Sequence, residues 1–424
     1  MARFVIQGGS TLTGTHRPPG NKNAALPMLA ACVLTDDPVV LSNIPLYEDV
    51  YTMMHILEEL GASVDLRGHS VTVCAKGLRR RTIDAALCRG VRSSILFAGP
   101  MAVRHGRVSL HPPGGDGIGR RPLDTHFEAL AKLGIRVDER RPYVIRAHRL
   151  RPAQIVLSEA SVTATGNTIM AAVLIPGRTT IFNAACEPHI QDLCHMLKDM
   201  GAQISGIGTN YLTVDGVSQL RGVRHRVSPD YVEAASFMMA SALTGGTLTV
   251  ENAPVENLEL IGRPLRKLGM KWTVDKEKVK LPGNHSLRVR SDFNSAVPKI
   301  EDGPWPSFPS DLMSVAIVLA SQSKGTVLFF EKMFESRMYF VRLLIEMGAR
   351  IVLCDPHRVI VTGPAPLRGI HMSTPDIRAG MAMLLAALCA KGESVIESAE
   401  TIDRGYERVD RKLRKLGADI VRIK

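Results

Sequence analysis

A glycine-rich segment between Pro112 and Pro122 holds a single acid, Asp116, and ends with Arg120 and Arg121. Four of the six residues from 114 to 119 are glycine, which lets a backbone move or approach a ligand closely. A carboxyl group in such a segment, next to two guanidinium groups, suits proton transfer to or from a bound anion. We therefore predict a catalytic loop, with a mobile surface insertion as the alternative.

Further charged and polar residues stand at the starts of segments that we predict to be buried helices. The first turn of a helix has unpaired N–H groups and attracts anions. Each residue alone could be a helix cap or a solvated side chain. Together they predict a ring of helix N-termini around one anion-binding cleft, which Arg337 and Arg404 could also face from loops before amphipathic helices. The residues at the helix starts are Lys22, Asn23, Arg92, Asp311, Asp376 and Arg378.

The elements that carry these residues repeat along the chain about every 70 residues. Each repeat is predicted to contain a buried helix, a strand that follows a glycine, an amphipathic helix with apolar residues at steps of three and four, and a further strand. A Leu-Gly or Met-Gly pair ends each amphipathic helix, and its glycine suits a left-handed cap. These glycines are Gly61, Gly134, Gly201, Gly269, Gly348 and Gly417.

At 424 residues the chain is too long for one core, and three repeats per domain is the natural division. A crossing between the domains is predicted near Ser228–Asp230. The first strand, near Phe4–Ile6, is predicted to complete the domain of the last repeat. The predicted domains are residues 22–229, carrying the catalytic loop 111–122, and residues 1–21 plus 230–424.

Composition narrows the class of protein. The net charge of +12 fits a solvated basic surface or a polyanionic small substrate. Basic residues are scattered and aromatic content is 5%, so we expect no nucleic-acid partner. No apolar segment suggests a signal or membrane span, and the seven cysteines lack metal-ligand spacing. We expect a cytoplasmic protein that binds no membrane, metal or cofactor. Its oligomeric state stays open.

Six motifs together resemble those of the UDP-N-acetylglucosamine enolpyruvyl transferases (UDP-N-acetylglucosamine 1-carboxyvinyltransferases) of the EPSP synthase superfamily. The resemblance covers essentially the whole chain. It implies an α/β fold, the inside-out α/β barrel, with two domains each of three βαβαββ units and buried helices. The motifs are Lys22–Pro27, Gly114–Asp124 with His126, Phe308–Asp311, Phe334–Arg337, Asp376–Arg378 and Ile402–Arg408.

The resemblance implies transfer of the enolpyruvyl group of phosphoenolpyruvate to the 3-hydroxyl of UDP-N-acetylglucosamine, with release of phosphate, as the first committed step of peptidoglycan synthesis. By position, Asp116 is the proton donor and Asp311 the base, and Lys22 and Arg404 complete the catalytic set. The implied phosphoenolpyruvate ligands are Lys22, Asn23, Arg121, Arg337, Asp376, Arg378 and Arg404. The implied UDP-sugar ligands are Asn23, Arg92, Arg121, Pro122, Leu123, Asp124, Thr125, Ser161, Val162, Thr163, Asp311 and Met333.

The chain departs from the family pattern at several positions. Asp116 stands where cysteine is commonest; a carboxylic acid can still donate a proton, and loss of water around it favours the protonated form. Because Asp116 offers no thiolate, we expect insensitivity to the epoxide antibiotic fosfomycin. Cys186 and His189 replace the usual arginine and glutamate, and Thr163 replaces a glycine, which leaves the path of the nucleotide-binding segment open.

Three alternatives remain at this point. A transferase acting on shikimate 3-phosphate would share the fold and the phosphoenolpyruvate chemistry, although the Gly-rich loop argues against it. A transferase acting on another uridine nucleotide would share the site. A catalytically silent UDP-sugar-binding paralogue would explain the change to Asp116, but binding alone does not require both Asp116 and Asp311.

Overall fold

The computed structural model describes residues 2–424. The strands are β1 (Arg3–Gln7), β2 (Gly14–His16), β3 (Val39–Ser42), β4 (Ser63–Arg67), β5 (Ser70–Cys74), β6 (Arg107–Leu110), β7 (Ile135–Asp138), β8 (Tyr143–Ala147), β9 (Gln154–Val156), β10 (Gly177–Phe182), β11 (Gln203–Ser205), β12 (Tyr211–Gly216), β13 (Arg224–Arg226), β14 (Leu248–Val250), β15 (Thr273–Asp275), β16 (Lys278–Leu281), β17 (Lys299–Glu301), β18 (Gly325–Phe330), β19 (Arg350–Asp355), β20 (Arg358–Gly363), β21 (His371–Ser373), β22 (Glu393–Glu397) and β23 (Asp419–Ile423).

Helices alternate with these strands. The α-helices are α1 (Lys22–Ala31), α2 (Glu48–Leu60), α3 (Ala85–Gly90), α4 (Ala98–His105), α5 (Asp124–Lys132), α6 (Val162–Ala172), α7 (Pro188–Asp199), α8 (Tyr231–Leu243), α9 (Val255–Lys267), α10 (Met313–Gln322), α11 (Val341–Glu346), α12 (Ile377–Cys389), α13 (Glu400–Asp403) and α14 (Val409–Lys415). Short 3-10 helices span Cys32–Leu34, Arg92–Phe97, Phe293–Ser295 and Ser310–Leu312.

All six predicted capping glycines adopt the left-handed conformation, with φ between 84° and 108°. They follow the ends of α2, α5, α7, α9, α11 and α14. A residue with a Cβ is strained at such an angle, which explains why glycine recurs there. The six-fold repetition predicted from the sequence is therefore confirmed at the helix ends.

Each sheet is built on the strands of one repeat, and some sheets include a strand from elsewhere in the chain, such as β13 beside β3 and β2 beside β14. Five sheets have four strands and one has three. In the four-stranded sheets one edge pair is parallel, as in β17 with β18, and the other pairs are antiparallel. The three-stranded sheet, β6-β8-β7, keeps a trace of the missing strand as a single parallel bridge between Thr82 and Ser109. The sheets are thus six versions of one topology.

The chain divides into two compact units. Unit 1 comprises the residues up to Pro18, Asp116–Arg120 and Pro229–Lys424, and unit 2 comprises Pro19–Gly115 and Arg121–Ser228. The N-terminal strand belongs to unit 1 because β1 pairs with both β22 and β23. The loop that we assign to domain 22–229 contributes its central residues to unit 1, since they contact Glu335, Ser336 and Arg404 there.

Buried helices form the centre of each unit. In unit 1, α8, α10 and α12 contact one another; in unit 2, α6 contacts both α1 and α4. Small and apolar side chains cover all faces of these helices, so each can be enclosed by neighbours. In α10, for example, every residue from Met313 to Ser321 is buried. Helices inside and sheets around them are the predicted inside-out α/β architecture, which is confirmed.

The buried helix of the second repeat is not a single α-helix. It consists of the 3-10 helix Arg92–Phe97 followed by α4. Pro100 lies in the first turn of α4, where its missing N–H costs nothing, whereas deeper in a helix it would leave a carbonyl unpaired. The proline therefore sets the start of the α-helical part.

Candidate active site

The candidate residues fall into two groups, one in each unit. In unit 1, the carboxylate of Asp311 is held by two arginines: Arg337 donates to Oδ1 at 3.1 Å and Arg378 donates to Oδ2 at 2.7 Å. Both guanidinium groups are buried, while the Asp311 side chain is about a quarter exposed. Asp311 lies in the 3-10 helix Ser310–Leu312, directly before α10. The carboxylate is thus oriented and accessible, as a base requires.

The start of α12 positions one of these arginines. Asp376 caps the helix, because its Oδ1 accepts from the N–H groups of Arg378 at 2.8 Å and Ala379 at 2.9 Å. The same oxygen lies 3.6 Å from a terminal nitrogen of Arg337. One capping carboxylate therefore connects the start of α12, which carries Arg378, with the guanidinium group of Arg337.

Arg378 also contacts the ring of Tyr406, at 5.4 Å from guanidinium carbon to ring centre. The Tyr406 hydroxyl hydrogen-bonds to Ser236 of α8. Nearby, Asp230 caps α8 by accepting from Val232 and Glu233. Burial raises the pKa of Asp230 to about 6, although the positive charge of Arg378 opposes the shift. The N-termini of α8 and α12 consequently share one network of charged side chains.

The central loop residues are fixed to unit 1 by backbone contacts. Glu335 accepts from the Arg120 N–H at 3.1 Å, and Ser336 N–H donates to the carbonyl of Ile118 at 3.1 Å. The Ile118 side chain is buried. Asp116 lies on the same loop, with its Oδ1 3.8 Å from a terminal nitrogen of Arg404. The proposed proton donor therefore lies beside a cation.

In unit 2, Lys22 begins α1 and forms a buried ion pair with Asp49, with Nζ 2.7 Å from Oδ2. Asn21 caps the helix by accepting from the Ala24 N–H at 3.1 Å. Asn23 lies in the same first turn. A buried lysine costs desolvation energy unless it is paired, and Asp49 supplies that pairing.

Arg92, which begins a 3-10 helix in unit 2, contacts the end of the loop at Arg121 and Pro122. Arg92 donates to the backbone carbonyls of Arg121 at 2.6 Å and Pro122 at 3.4 Å. Burial, and after it the like charge of Arg121, lower the pKa of Arg92 to about 10. Two adjacent guanidinium groups repel each other, and a bound anion between or beside them would relieve the repulsion.

The residues expected to bind the nucleotide lie at the starts of α5 and α6. Asp124 and Thr125 begin α5, and Thr125 shares a 2.7 Å hydrogen bond with Ser158. Ser161 caps α6, and Val162 and Thr163 form its first turn. The helix is regular from Val162 to Ala172. The backbone around Thr163, whose path was left open in the prediction from the sequence, is therefore helical.

A buried histidine connects these two helices. One ring nitrogen of His126 lies 3.0 Å from the Thr163 hydroxyl and the other 3.0 Å from the side-chain amide of Asn167. Burial, with a smaller contribution from Arg92, lowers the pKa of His126 to about 3, so the imidazole is neutral. Asn167 in turn accepts from Gly99 and donates to Ile95. The Thr163 hydroxyl is thus part of this hydrogen-bond network, and a glycine at this position would have no hydroxyl to offer His126.

No role was predicted from the sequence for three residues that lie in the unit 1 group. Glu335 belongs to the motif Phe334–Arg337 and accepts a hydrogen bond from the Arg120 N–H of the loop. Asp302 and Glu331 were not named; each follows directly after a strand, β17 or β18. A polar residue after a strand is a weak signal by itself. Met333, expected at the UDP-sugar, lies two residues after Glu331 and is exposed.

Among residues 2–424, no helix is both long and apolar enough to cross a membrane. The chain belongs to the EPSP synthase family, whose model, described as EPSP synthase (3-phosphoshikimate 1-carboxyvinyltransferase), matches residues 6–413. Full-length relatives carry a more particular name. The UDP-N-acetylglucosamine 1-carboxyvinyltransferase of Borreliella burgdorferi is 48% identical over 425 residues, covering 100% of both chains. The enzyme of that name from Treponema denticola is also 48% identical, covering 99% of both chains.

Solved structures share the fold. The enolpyruvyl transferase NikO from Streptomyces tendae has a TM-score of 0.89 at 23% identity, covering 99% of this chain and 98% of its own. An EPSP synthase from Acinetobacter baumannii has a TM-score of 0.80 at 17% identity, with 100% of both chains covered. At these identities the likeness concerns the architecture.

Proposed function

We propose that this protein transfers the enolpyruvyl group of phosphoenolpyruvate to the 3-hydroxyl of UDP-N-acetylglucosamine and releases phosphate. The observation that carries the proposal is the 48% identity over the whole chain to enzymes named UDP-N-acetylglucosamine 1-carboxyvinyltransferase. Arginine and lysine side chains at helix starts support it, since both substrates are anions.

In the proposed reaction, the methylene carbon of phosphoenolpyruvate gains a proton from Asp116, which makes the neighbouring carbon electrophilic. Asp311 accepts the proton of the sugar hydroxyl as its oxygen attacks that carbon. The tetrahedral intermediate then loses phosphate, which takes the proton held by Asp311, and the carboxylate of Asp116 takes back one proton of the new methyl group, which restores the carbon–carbon double bond. The orientation of Asp311 by Arg337 and Arg378 supports its assignment as the base.

The remaining site residues divide by the charge that they meet. In this proposal, phosphoenolpyruvate is bound by Lys22, Asn23, Arg121, Arg337, Asp376, Arg378 and Arg404. Arg92 and Arg121 neutralise the diphosphate, and the starts of α5 and α6, from Asp124 and from Ser161, bind the uridine. The neighbouring guanidinium groups of Arg92 and Arg121 support an anion site there.

The wider setting follows from the proposed reaction. The enzyme would act in the cytoplasm, where nucleotide sugars are made, and would commit them to peptidoglycan synthesis, on which cell shape and division depend. Its domains would be residues 22–229 with the catalytic loop, and residues 1–21 plus 230–424.

A phosphate-release assay tests the proposal. Phosphoenolpyruvate should give phosphate in the presence of UDP-N-acetylglucosamine and none with shikimate 3-phosphate. Asp116→Ala should abolish turnover and leave UDP-sugar affinity within about threefold of the native value. Release of phosphate with shikimate 3-phosphate would assign the sister activity, whereas UDP-sugar binding without any phosphate release would assign the silent paralogue.

A further inference from the structure

Two carboxylic acids stand side by side at the ends of adjacent strands in unit 1. Strands β17 and β18 are parallel, and Glu301 is the register partner of Phe330. Asp302 directly follows Glu301 in the sequence, and Glu331 directly follows Phe330. Because parallel strands deliver their carboxyl ends to the same edge of a sheet, the register brings these two acids together. The two carboxyl groups are close enough for a hydrogen bond to form between them if one carries a proton.

Both acids are removed from water. Asp302 is 1% exposed and Glu331 is 0% exposed. Oδ1 of Asp302 accepts from the Lys332 N–H. Oε1 of Glu331 accepts from the Met333 N–H at 3.3 Å and the Phe334 N–H at 3.2 Å. Two ionised carboxylates in contact at such a buried position would repel strongly.

One proton between the acids resolves this repulsion. Oδ2 of Asp302 has no N–H or O–H donor in the described part of the chain, although it is buried. An O–H on either acid would supply the missing hydrogen bond between them. Burial, and next the contact with Asp302, raise the pKa of Glu331 to about 9. A neutral partner at pH 7 therefore fits both the geometry and the titration.

Three basic side chains lie on the segments around this pair: Arg337, His357 and Lys332. The positive charge of Arg337 lowers the pKa of Glu331, but this effect is smaller than the rise that burial causes. His357 contacts the backbone carbonyl of Glu331 at 2.7 Å. Lys332 is directed to Glu301, with 3.0 Å between the charged atoms. The pair thus keeps one negative charge, balanced in part by Arg337.

The acids fix two segments of the candidate site. The Ser310 hydroxyl lies 2.9 Å and 3.0 Å from the two Glu331 oxygens, and Ser310 immediately precedes Asp311. The N–H groups of residues 332–334 bind both acids, and this turn leads into Glu335 and Arg337. The base Asp311 and the residue that holds the loop are therefore anchored at one buried point.

We propose that Asp302 and Glu331 share a single proton in the working enzyme, and that this pair is a positioning element for Asp311 and for the loop contact of Glu335. The positioning part rests on the proposed function; the shared proton does not. Neither acid touches the reacting atoms in this proposal.

The sharpest variant is Asp302→Asn. Its carbonyl oxygen can keep the bond from Lys332, and its amide N–H can donate to Glu331 where Oδ2 now lies. The variant thus copies the charge and the hydrogen bonds of the protonated pair but has no proton to lose. Glu301→Gln is the matched control, because this neighbouring acid is partly exposed and pairs with surface lysines.

Thermal unfolding across pH tests the shared proton without substrates. The raised pKa of Glu331 means that the folded state binds one more proton than the unfolded state between about pH 4.5 and 9. Stability should therefore fall as pH rises through this window. We expect Tm to fall by about 3 °C or more from pH 7 to pH 9 in the native protein and in Glu301→Gln, relative to Asp302→Asn. An Asp302→Asn curve parallel to the native curve would refute the shared proton.

Steady-state kinetics tests positioning. We expect kcat of the native enzyme to fall above about pH 9, and we expect Asp302→Asn to keep kcat within about threefold and to lose this fall. Asp302→Ala should lower kcat at least about tenfold with little change in KM. Equal kcat in the Ala and Asn variants would refute positioning, as would an unchanged alkaline limb in Asp302→Asn. If the native protein lacks turnover, the proposed function fails while the unfolding result still decides the shared proton.

Discussion

Asp116 and Arg404 approach within 3.8 Å, between Oδ1 and a terminal guanidinium nitrogen. A neighbouring cation favours the charged form of a carboxyl group, whereas a proton donor must be neutral when it reacts. An anionic substrate bound to Arg404 would cancel this influence and add negative charge near Asp116. We therefore expect the acid to be prepared for donation by the substrate that it protonates.

The identity of the residue at position 116 should decide the response to fosfomycin. The native enzyme should resist the epoxide, because a carboxylate is a poorer nucleophile than a thiolate. Asp116→Cys should be inactivated covalently and gain the mass of one inhibitor molecule, as measured by intact-protein mass spectrometry. Asp116→Asn, which can neither donate the proton nor be alkylated at a thiol, should lose at least about 100-fold in kcat and stay unlabelled. Labelling of the native protein would contradict the assignment.

Glu335 should control how well the loop is held. Glu335→Ala removes the acceptor for the Arg120 N–H, so we expect kcat to fall about tenfold and trypsin to cut the loop faster after Arg120. Glu335→Gln is the matched control, because its amide oxygen can still accept that hydrogen bond. Rates of loop cleavage and kcat should change together across the two variants. Unchanged cleavage in Glu335→Ala would show that the contact does not hold the loop.

Two glycines of the loop should differ in their tolerance of alanine. Gly119 has φ +134°, and a Cβ there would lie 2.4 Å from a carboxylate oxygen of Glu335. Gly117 has open space at the same position, with nothing within 4 Å. Gly119→Ala should therefore lower kcat about tenfold, while Gly117→Ala should change it less than threefold. Similar activities for the two variants would mean that the loop adopts another conformation during turnover.

The sequence predicted the repeating fold well because the signal was local. Each capping glycine follows its own helix, so Gly61 or Gly417 can be interpreted without knowledge of the rest of the chain. The candidate residues came from motifs of the same local kind. The Asp302–Glu331 pair could not be found this way, because 28 residues separate its partners and only the register of β17 and β18 joins them. The contact of Glu335 with the loop has the same long-range character.

His126 should make the protein sensitive to acid. It is 1% exposed, and its pKa of about 3 lies below the ordinary value of 6.5. Between these two values the unfolded state binds a proton that the folded state does not, so stability is lost as pH falls below about 6.5. The loss should approach about 1.4 kcal/mol per pH unit.

The comparison of His126→Gln with the native protein measures this effect. Glutamine can hydrogen-bond but does not titrate, so the difference in Tm between pH 7 and pH 5 should shrink by a few degrees. His55→Gln is the control, since His55 is largely exposed and faces Glu58 on the surface of α2. A native Tm that changes no more between pH 7 and pH 5 than that of His126→Gln would mean that the imidazole is protonated in the folded state. Its hydrogen bonds to Thr163 and Asn167 would then need a different arrangement, because a charged ring can only donate.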